Sequence, residues 1–174
     1  MKITAIHTHH VCIPYDMGAP RQEFAGLKFA TMDHLLIQVD TDAGITGWGE
    51  GFGHTIIPAT KAALECYVAP WFIGKDPTDI AVLHREAAQH FHLFGGNGPV
   101  VYAHSGVDIA LWDIAGKRAG LPLSQLLGLR GAPRLEPTPA CCATAHRRRS
   151  HEYAPSGRRP DSSISSCTSI PSLR

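Results

Sequence analysis

The sequence predicts an α+β fold, in which a three-stranded antiparallel meander is followed by a helical bundle. Apolar Leu35, Ile37 and Val39 alternate with polar residues, which is typical of a half-buried strand. The turn sequence Asp40–Gly44 comes next and suits a hairpin, because its glycine adopts positive φ without steric cost. After residue 57 the apolar spacing changes to a helical period, so the helices follow the strands rather than alternate with them.

The strands are separated by irregular stretches. The first strand is predicted from Ile3 to Ile13, ended by Pro14, and the strand that returns from the hairpin spans Ile45–Glu50. Residues 15–30 contain Gly and Pro with no sustained period, and residues 51–55 form a second irregular stretch. Long loops in compact domains are often functional, so residues 15–30 are the first place to look for a site.

Three helices are predicted from their start and stop signals. The first spans Pro58–Pro70; the second begins at Asp76, read as an N-cap before Pro77, and runs to about residue 92. The third opens at Asn97-Gly98-Pro99 and stops at Gly120, a C-cap glycine followed by a proline. The residues predicted to face inward are Ala63, Leu64 and Tyr67; Ile80, Leu83, Ala87 and Phe91; and Val100, Val107, Leu111, Ile114 and Ala115.

The formal net charge of +1 over 174 residues conceals two unlike parts. Residues 1–129 carry 8 Lys and Arg against 12 Asp and Glu, whereas residues 130–174 carry 8 Arg against 3 acidic residues. The basic part has no Val, Phe, Trp or Met, so it has too few core-forming residues to offset the entropy of ordering it. We therefore expect a folded domain over residues 1–131 and a disordered basic tail rich in Arg, Ser and Pro over residues 132–174.

Two motifs carry a resemblance to a known family. The hairpin sequence D-T-D-A-G-I-T-G-W-G-E-G is followed some fifty residues later by S-G-V-D-I-A-L-W-D-I-A-G-K-R-A-G-L-P-L-S-Q-L-L-G. In order and spacing they resemble the N-terminal capping domain of the enolase superfamily, within its mandelate racemase/muconate lactonizing enzyme subgroup. The similarity covers about residues 1–131.

The resemblance implies a function for the loops. In that family the capping domain folds over a (β/α)₈ barrel, which supplies the acid–base residues and the carboxylates that hold Mg²⁺. The metal stabilises the enediolate formed when a proton leaves the carbon next to a carboxylate. By position, residues 15–30 and 51–58 correspond to the two loops that close over the substrate. The predicted substrate contacts are Tyr15, Arg21 and Phe24 from the first loop and His54 from the second.

The barrel is missing from this chain. A (β/α)₈ barrel needs about 200 residues, and only 43 of the 174 follow Gly131. No Lys occurs after Lys117, so the catalytic lysine motif of the family is absent as well. The chain is therefore expected to be truncated and inactive by itself, with no catalytic residue of its own and no bound cofactor. The composition of the tail suggests a frameshift after about residue 131, which the nucleotide sequence would test.

Other chemistry-bearing residues give weaker signals. His7 and His9 share one face of a strand while His10 points away, so no metal site is predicted there. Cys12 and Cys66 are interpreted as small buried apolar residues, because no activating basic neighbour is evident. A single carboxylate at a hairpin end, such as Glu50, is usually structural.

The longer enzyme to which this domain would belong is expected to act on a small hydroxy or sugar acid. Its expected activity is that of a racemase, an epimerase or an acid-sugar dehydratase. No nucleic acid and no membrane partner are predicted, a homo-oligomer is possible, and the absence of a signal-peptide pattern predicts a cytoplasmic protein. The alternative is a non-catalytic binding or dimerisation module with a basic tail.

Overall fold

A computed structural model describes residues 1–14 and 31–128, together with the backbone of residues 23–24 and 27–28. Strands β1 (Ile3–Pro14), β4 (Thr31–Thr41) and β5 (Thr46–Gly51) form an antiparallel sheet in the order β1-β4-β5. The predicted meander is therefore confirmed. The hairpin turn is confirmed too, since Gly44 has a φ of 73°.

The predicted first loop contains a short regular element that the sequence did not indicate. Strands β2 (Glu23–Phe24) and β3 (Leu27–Lys28) pair antiparallel, with Phe24 opposite Leu27. A pair of two-residue strands has no detectable alternation, which is why the periodicity gave no sign of it.

The helices follow the sheet. Their bounds are α1 (Ile57–Ala63), α2 (Ala69–Phe72), α3 (Ile80–His90), α4 (Pro99–Ala119) and α5 (Leu123–Leu126). A π-helical turn, Leu64–Val68, joins α1 to α2, and 3₁₀ turns span His54–Ile56 and His92–Phe94. None of the helices in the described part of the chain combines the length and apolar character that crossing a membrane requires.

Two local predictions about the helices were wrong. Asp76 is not the cap of α3: its carboxylate accepts from the Thr78 N–H in the preceding turn, which also lowers the pKa of Asp76, while Asp79 accepts from the Val82 N–H at 3.1 Å. Tyr67, predicted inward, is 36% exposed and packs on the rings of His90, Phe91 and Phe94. The π-helical turn around Tyr67 changes the residue-per-turn count, so a strict helical period misplaces it.

The core lies between the sheet and the helices. The buried side chains of β4 come from alternate positions, as the sequence predicted, and α3 and α4 contribute the predicted apolar stripes. The main members of the core are Leu35, Ile37, Val39, Leu64, Phe72, Leu83, Ala87, Val107, Leu111 and Ile114.

Glycines let α4 lie directly on β5. A Cβ at Gly47 would lie 2.2 Å from the Ala110 carbonyl oxygen, and a Cβ at Gly49 would lie 2.0 Å from that of Gly106. Atoms cannot approach so closely, so only glycine fits at these two positions of β5. The alternating glycines of T-G-W-G-E-G therefore form the helix-facing side of β5.

Polar contacts at the edge of the sheet hold the same helix. Asp113 on α4 accepts from the Trp48 N–H at 2.8 Å, which satisfies a donor on edge strand β5. Lys117, one turn later, donates to both Asp113 and the Thr46 carbonyl at 2.7 Å.

Candidate functional site

The sheet brings the two predicted loops to one of its ends. Pro14, the last residue of β1, pairs with Thr31, the first residue of β4, so residues 15–30 leave and return at this end. Gly51, the last residue of β5, pairs with Leu35 near the start of β4, so the second loop leaves from the same end. Antiparallel pairing alone requires this arrangement, because β1 and β5 both run opposite to β4.

The second loop is short, and a hydrogen bond from α1 anchors it. Gly53 and the 3₁₀ turn at His54–Ile56 separate β5 from α1, and the Thr60 hydroxyl on α1 donates to the Phe52 carbonyl at 3.0 Å. The Phe52 ring is 60% exposed and meets Tyr102 edge-on, with 5.0 Å between ring centroids. An exposed aromatic ring on an anchored loop suits contact with a ligand. Phe52 was not among the substrate contacts predicted from the sequence, although a phenylalanine between two loop glycines can indicate an exposed ring at a binding site.

His54 lies on this second loop, as predicted, and is exposed. Its φ of 47° places it in the left-handed region, and it is the one residue other than glycine with positive φ in the described part of the chain. Such a backbone is uncommon outside glycine and is often found at functional sites. Contact between His54 and substrate stays a prediction.

The three predicted contacts on the first loop are not placed. Tyr15 and Arg21 lie outside the described residues. Phe24 is described only through its backbone, which pairs with Leu27. It therefore stays a prediction that these residues contact the same substrate as His54.

The face of the sheet turned away from the helices is polar and rich in histidine. His34 Nδ1 lies 2.6 Å from Glu50 Oε1, and His9 lies 3.1 Å from the Gln38 side-chain oxygen. Hydrogen bonds from Gln38 and Thr46, and a smaller effect from the charge of His7, lower the pKa of Asp40. The interpretation of Glu50 as structural stays a prediction, although its carboxylate does have a partner in His34.

Three potential metal ligands, His10, Cys12 and Asp33, lie close together at the loop end of the sheet, on its helix-facing side. The sequence did not predict that they are neighbours. His10 Nε2 lies 3.7 Å from Cys12 Sγ and 3.9 Å from Asp33 Oδ2. The interpretation of Cys12 and Cys66 as buried apolar residues was wrong: Cys12 is half-buried beside His10 on the same face, and Cys66 is exposed. Residues i and i+2 share a face of a strand, which is the signal that could have found the pair.

Comparison with known proteins identifies the domain. The family model described as "Mandelate racemase / muconate lactonizing enzyme, N-terminal domain" matches residues 16–128, more than half of the chain. The chain belongs to the mandelate racemase/muconate lactonizing enzyme family. The resemblance drawn from the two motifs is thus confirmed, as is the fold class of a capping domain.

Several proteins that resemble this chain have names that refer to galactarolactone or galactonate. The chain is 37% identical over 132 residues to the D-galactarolactone cycloisomerase of Agrobacterium fabrum, covering 75% of this chain and 33% of that protein. It is 43% identical over 99 residues to a D-galactonate dehydratase family member of Musicola paradisiaca, covering 56% and 23%. The crystal structure of the 3,6-anhydro-D-galactonate cycloisomerase of Zobellia galactanivorans superposes with a TM-score of 0.60 at 29% identity, covering 74% and 32%.

The chain therefore spans a quarter to a third of the length of these relatives. The matched part is the capping domain, and the described residues contain no (β/α)₈ barrel.

Proposed function

We propose that this chain is the capping domain of an enzyme that removes the proton next to the carboxylate of a sugar acid, with residues 15–30 and 51–58 closing over the substrate. The observation that carries the proposal is the convergence of both loops at one end of the sheet in a domain of this family. The names of the relatives favour an acid derived from galactose as the substrate class, handled by a dehydratase or cycloisomerase.

The described residues do not suit Mg²⁺, so the proposal assigns the metal and the acid–base chemistry to a barrel. Mg²⁺ prefers octahedral oxygen ligands. The one grouping of three potential metal ligands in the described part of the chain offers a thiol, an imidazole and a single carboxylate. By this proposal the domain contributes substrate contacts and the exclusion of water.

A chimera tests the role of the loops. Residues 1–128 of this chain would replace the equivalent segment of the D-galactarolactone cycloisomerase, whose barrel provides the chemistry. The chimera is expected to turn over a sugar acid. Arg21→Ala and Phe24→Ala are each expected to raise KM about tenfold or to change the preferred acid, because each removes a contact to the substrate.

Matched controls are Arg85→Ala and Leu93→Ala, which remove an exposed arginine and an exposed leucine from the helices. Unchanged kinetics in the Arg21 and Phe24 variants over a panel of sugar acids would contradict the assignment of these contacts. Turnover by the 174-residue chain alone, with Mg²⁺ added, would contradict the assignment of the chemistry to a barrel.

A further inference from the structure

We propose that His10, Cys12 and Asp33 form a binding site for Zn²⁺ at the base of the first loop. Cys12 on β1 lies directly opposite Asp33 on β4, and His10 precedes Cys12 by two residues, so all three side chains leave the same face of the sheet. The three potential ligand atoms lie within 4.8 Å of one another. This departs from the sequence-based expectation of no metal site, which compared His10 only with His7 and His9.

The distances fit tetrahedral coordination. With Zn–S near 2.3 Å and Zn–N and Zn–O near 2.1 Å, tetrahedral angles place sulfur about 3.6 Å from nitrogen, and nitrogen about 3.4 Å from oxygen. The corresponding separations here are 3.7 Å between Cys12 Sγ and His10 Nε2 and 3.9 Å between His10 Nε2 and Asp33 Oδ2. His10 Nε2 thus lies within about 0.5 Å of the ideal separation from each of its neighbours. Cys12 Sγ and the Asp33 carboxylate lie within 4.8 Å of each other, so a side-chain movement of at most about 1.2 Å would bring that pair to its ideal separation.

A separate observation concerns Asp33. Its second carboxylate oxygen, Oδ1, is buried and has no hydrogen-bond partner among the described residues. A buried carboxylate oxygen without a partner is destabilising, and a cation held by the same carboxylate would compensate its charge. The half-buried setting of His10 and Asp33, with side chains 21% and 32% exposed, leaves access for an ion from solvent.

The ligand chemistry selects the metal. A thiolate and an imidazole favour Zn²⁺ over Mg²⁺ or Ca²⁺, which take oxygen ligands. On binding, the Cys12 thiol releases its proton to solvent, bonds form from zinc to sulfur, nitrogen and oxygen, and waters leave the ion. One thiolate, one carboxylate and a neutral imidazole balance the charge of Zn²⁺. Three protein ligands leave a fourth position for water.

The position of the site suggests what the ion does. Cys12 and Asp33 lie two residues from Pro14 and Thr31, between which residues 15–30 leave and return. A metal that joins β1 to β4 here fixes the two ends of the loop relative to each other. The inference does not depend on the proposed function, because metal binding can be measured without catalysis.

Cobalt substitution provides the test. In the full chain Cys66, Cys141, Cys142 and Cys167 are replaced by Ser, so that Cys12 is the remaining thiol. Titration of the chelator-treated protein with Co²⁺ is expected to give a thiolate-to-cobalt charge-transfer band that saturates at one equivalent and disappears when Zn²⁺ is added. Zn²⁺ is also expected to raise the thermal midpoint, because a ligand that binds the folded state stabilises it.

Variants distinguish a built site from a lone thiol. Adding Cys12→Ser should abolish the band, and His10→Gln and Asp33→Asn should each weaken Co²⁺ binding at least tenfold. His9→Gln, on the opposite face of β1, is the matched control and should leave the affinity unchanged. The proposal is overturned if no charge-transfer band forms, or if His10→Gln and Asp33→Asn bind Co²⁺ as tightly as the parent. Circular dichroism establishes that each variant is folded.

Discussion

At the scale of single residues, the glycines of β5 have a packing role that the sequence pattern alone did not indicate. From the sequence alone, T-G-W-G-E-G is interpreted as a return strand whose carboxylate, Glu50, is structural. In the structure, Gly47 and Gly49 are the points where the backbone of α4 touches the sheet. Trp48 and Glu50 alternate with them and lie on the other face. These two positions of the motif therefore require glycine because a side chain would prevent α4 from packing on β5.

Gly49→Ala should destabilise the domain severely. The added Cβ would lie 2.0 Å from the Gly106 carbonyl oxygen and 2.9 Å from the Ala110 nitrogen, both of them backbone atoms that cannot rotate away. We expect a loss of about 3 kcal/mol in the free energy of unfolding, at the upper end of overpacking effects, measured by urea denaturation. Gly96→Ala is the matched control, because no atom of the described residues lies within 4 Å of a Cβ at this position. Equal midpoints for the two variants would refute the close approach of α4 and β5.

At the scale of elements, α3 and α4 meet through an ionisable contact. His104 on α4 stacks on His84 of α3 at 5.1 Å and on Phe72 at 5.9 Å. Burial lowers the pKa of His104, the nearby charge of His84 lowers it further, and Asp108 partly opposes both. The packing of these two helices therefore favours the neutral form of His104.

This contact predicts that the domain becomes less stable as the pH is lowered. Above the ordinary histidine pKa of about 6.5, His104 is neutral in both the folded and the unfolded chain, and its contribution is fully present. As the pH falls below that value, the unfolded chain takes up the proton first, so the free energy of unfolding decreases until the folded pKa is passed. His104→Gln should reduce the loss of stability between about pH 8 and pH 5.

Urea denaturation at the two pH values measures this difference. His92→Gln is the control, because it replaces an exposed histidine in the 3₁₀ turn after α3 and leaves the contact between α3 and α4 intact. A pH dependence that is the same in His104→Gln as in the parent would show that burial of His104 has no energetic consequence.

At the scale of the whole molecule, a groove lined by exposed apolar side chains lies in the described part of the chain. Trp48, Ile109, Leu121 and Leu123 are each between 42% and 46% exposed, and together they line a groove between β5, α4 and the start of α5. We call this the edge groove. Contiguous exposed apolar side chains usually mark a surface that is covered in the functional assembly.

We predict that the 174-residue chain self-associates through the edge groove. The double variant Ile109→Lys/Leu123→Lys should shift the chain toward the monomer in size-exclusion chromatography with light scattering, because two charges would be buried in the contact. Leu93→Lys is the matched control, since Leu93 is 82% exposed and lies outside the groove. A monodisperse monomer for the unaltered chain would contradict the prediction.

The sequence by itself determined the class of the fold, because period-two and helical spacing are local properties. The strand order, the hairpin at Gly44 and the buried stripe of α3 follow from it, as does the family, since two motifs lie at the right separation. Local pattern was less reliable where two signals compete within a few residues. Asp76 and Asp79 are both good caps by residue type, and the structure shows that Asp79 is the one that accepts from the Val82 N–H.

Only the tertiary structure decided which residues meet across elements. The approach of β5 and α4 at Gly49, the burial of His104 between two helices, and the grouping of His10 and Cys12 with Asp33 all join positions far apart in the chain. Spacing within one segment has no information about strand register, and a change of one residue in the pairing of β1 with β4 would place Asp33 on the face away from Cys12. The chemistry of this domain therefore depends on register, which forms only when the sheet and helices pack together.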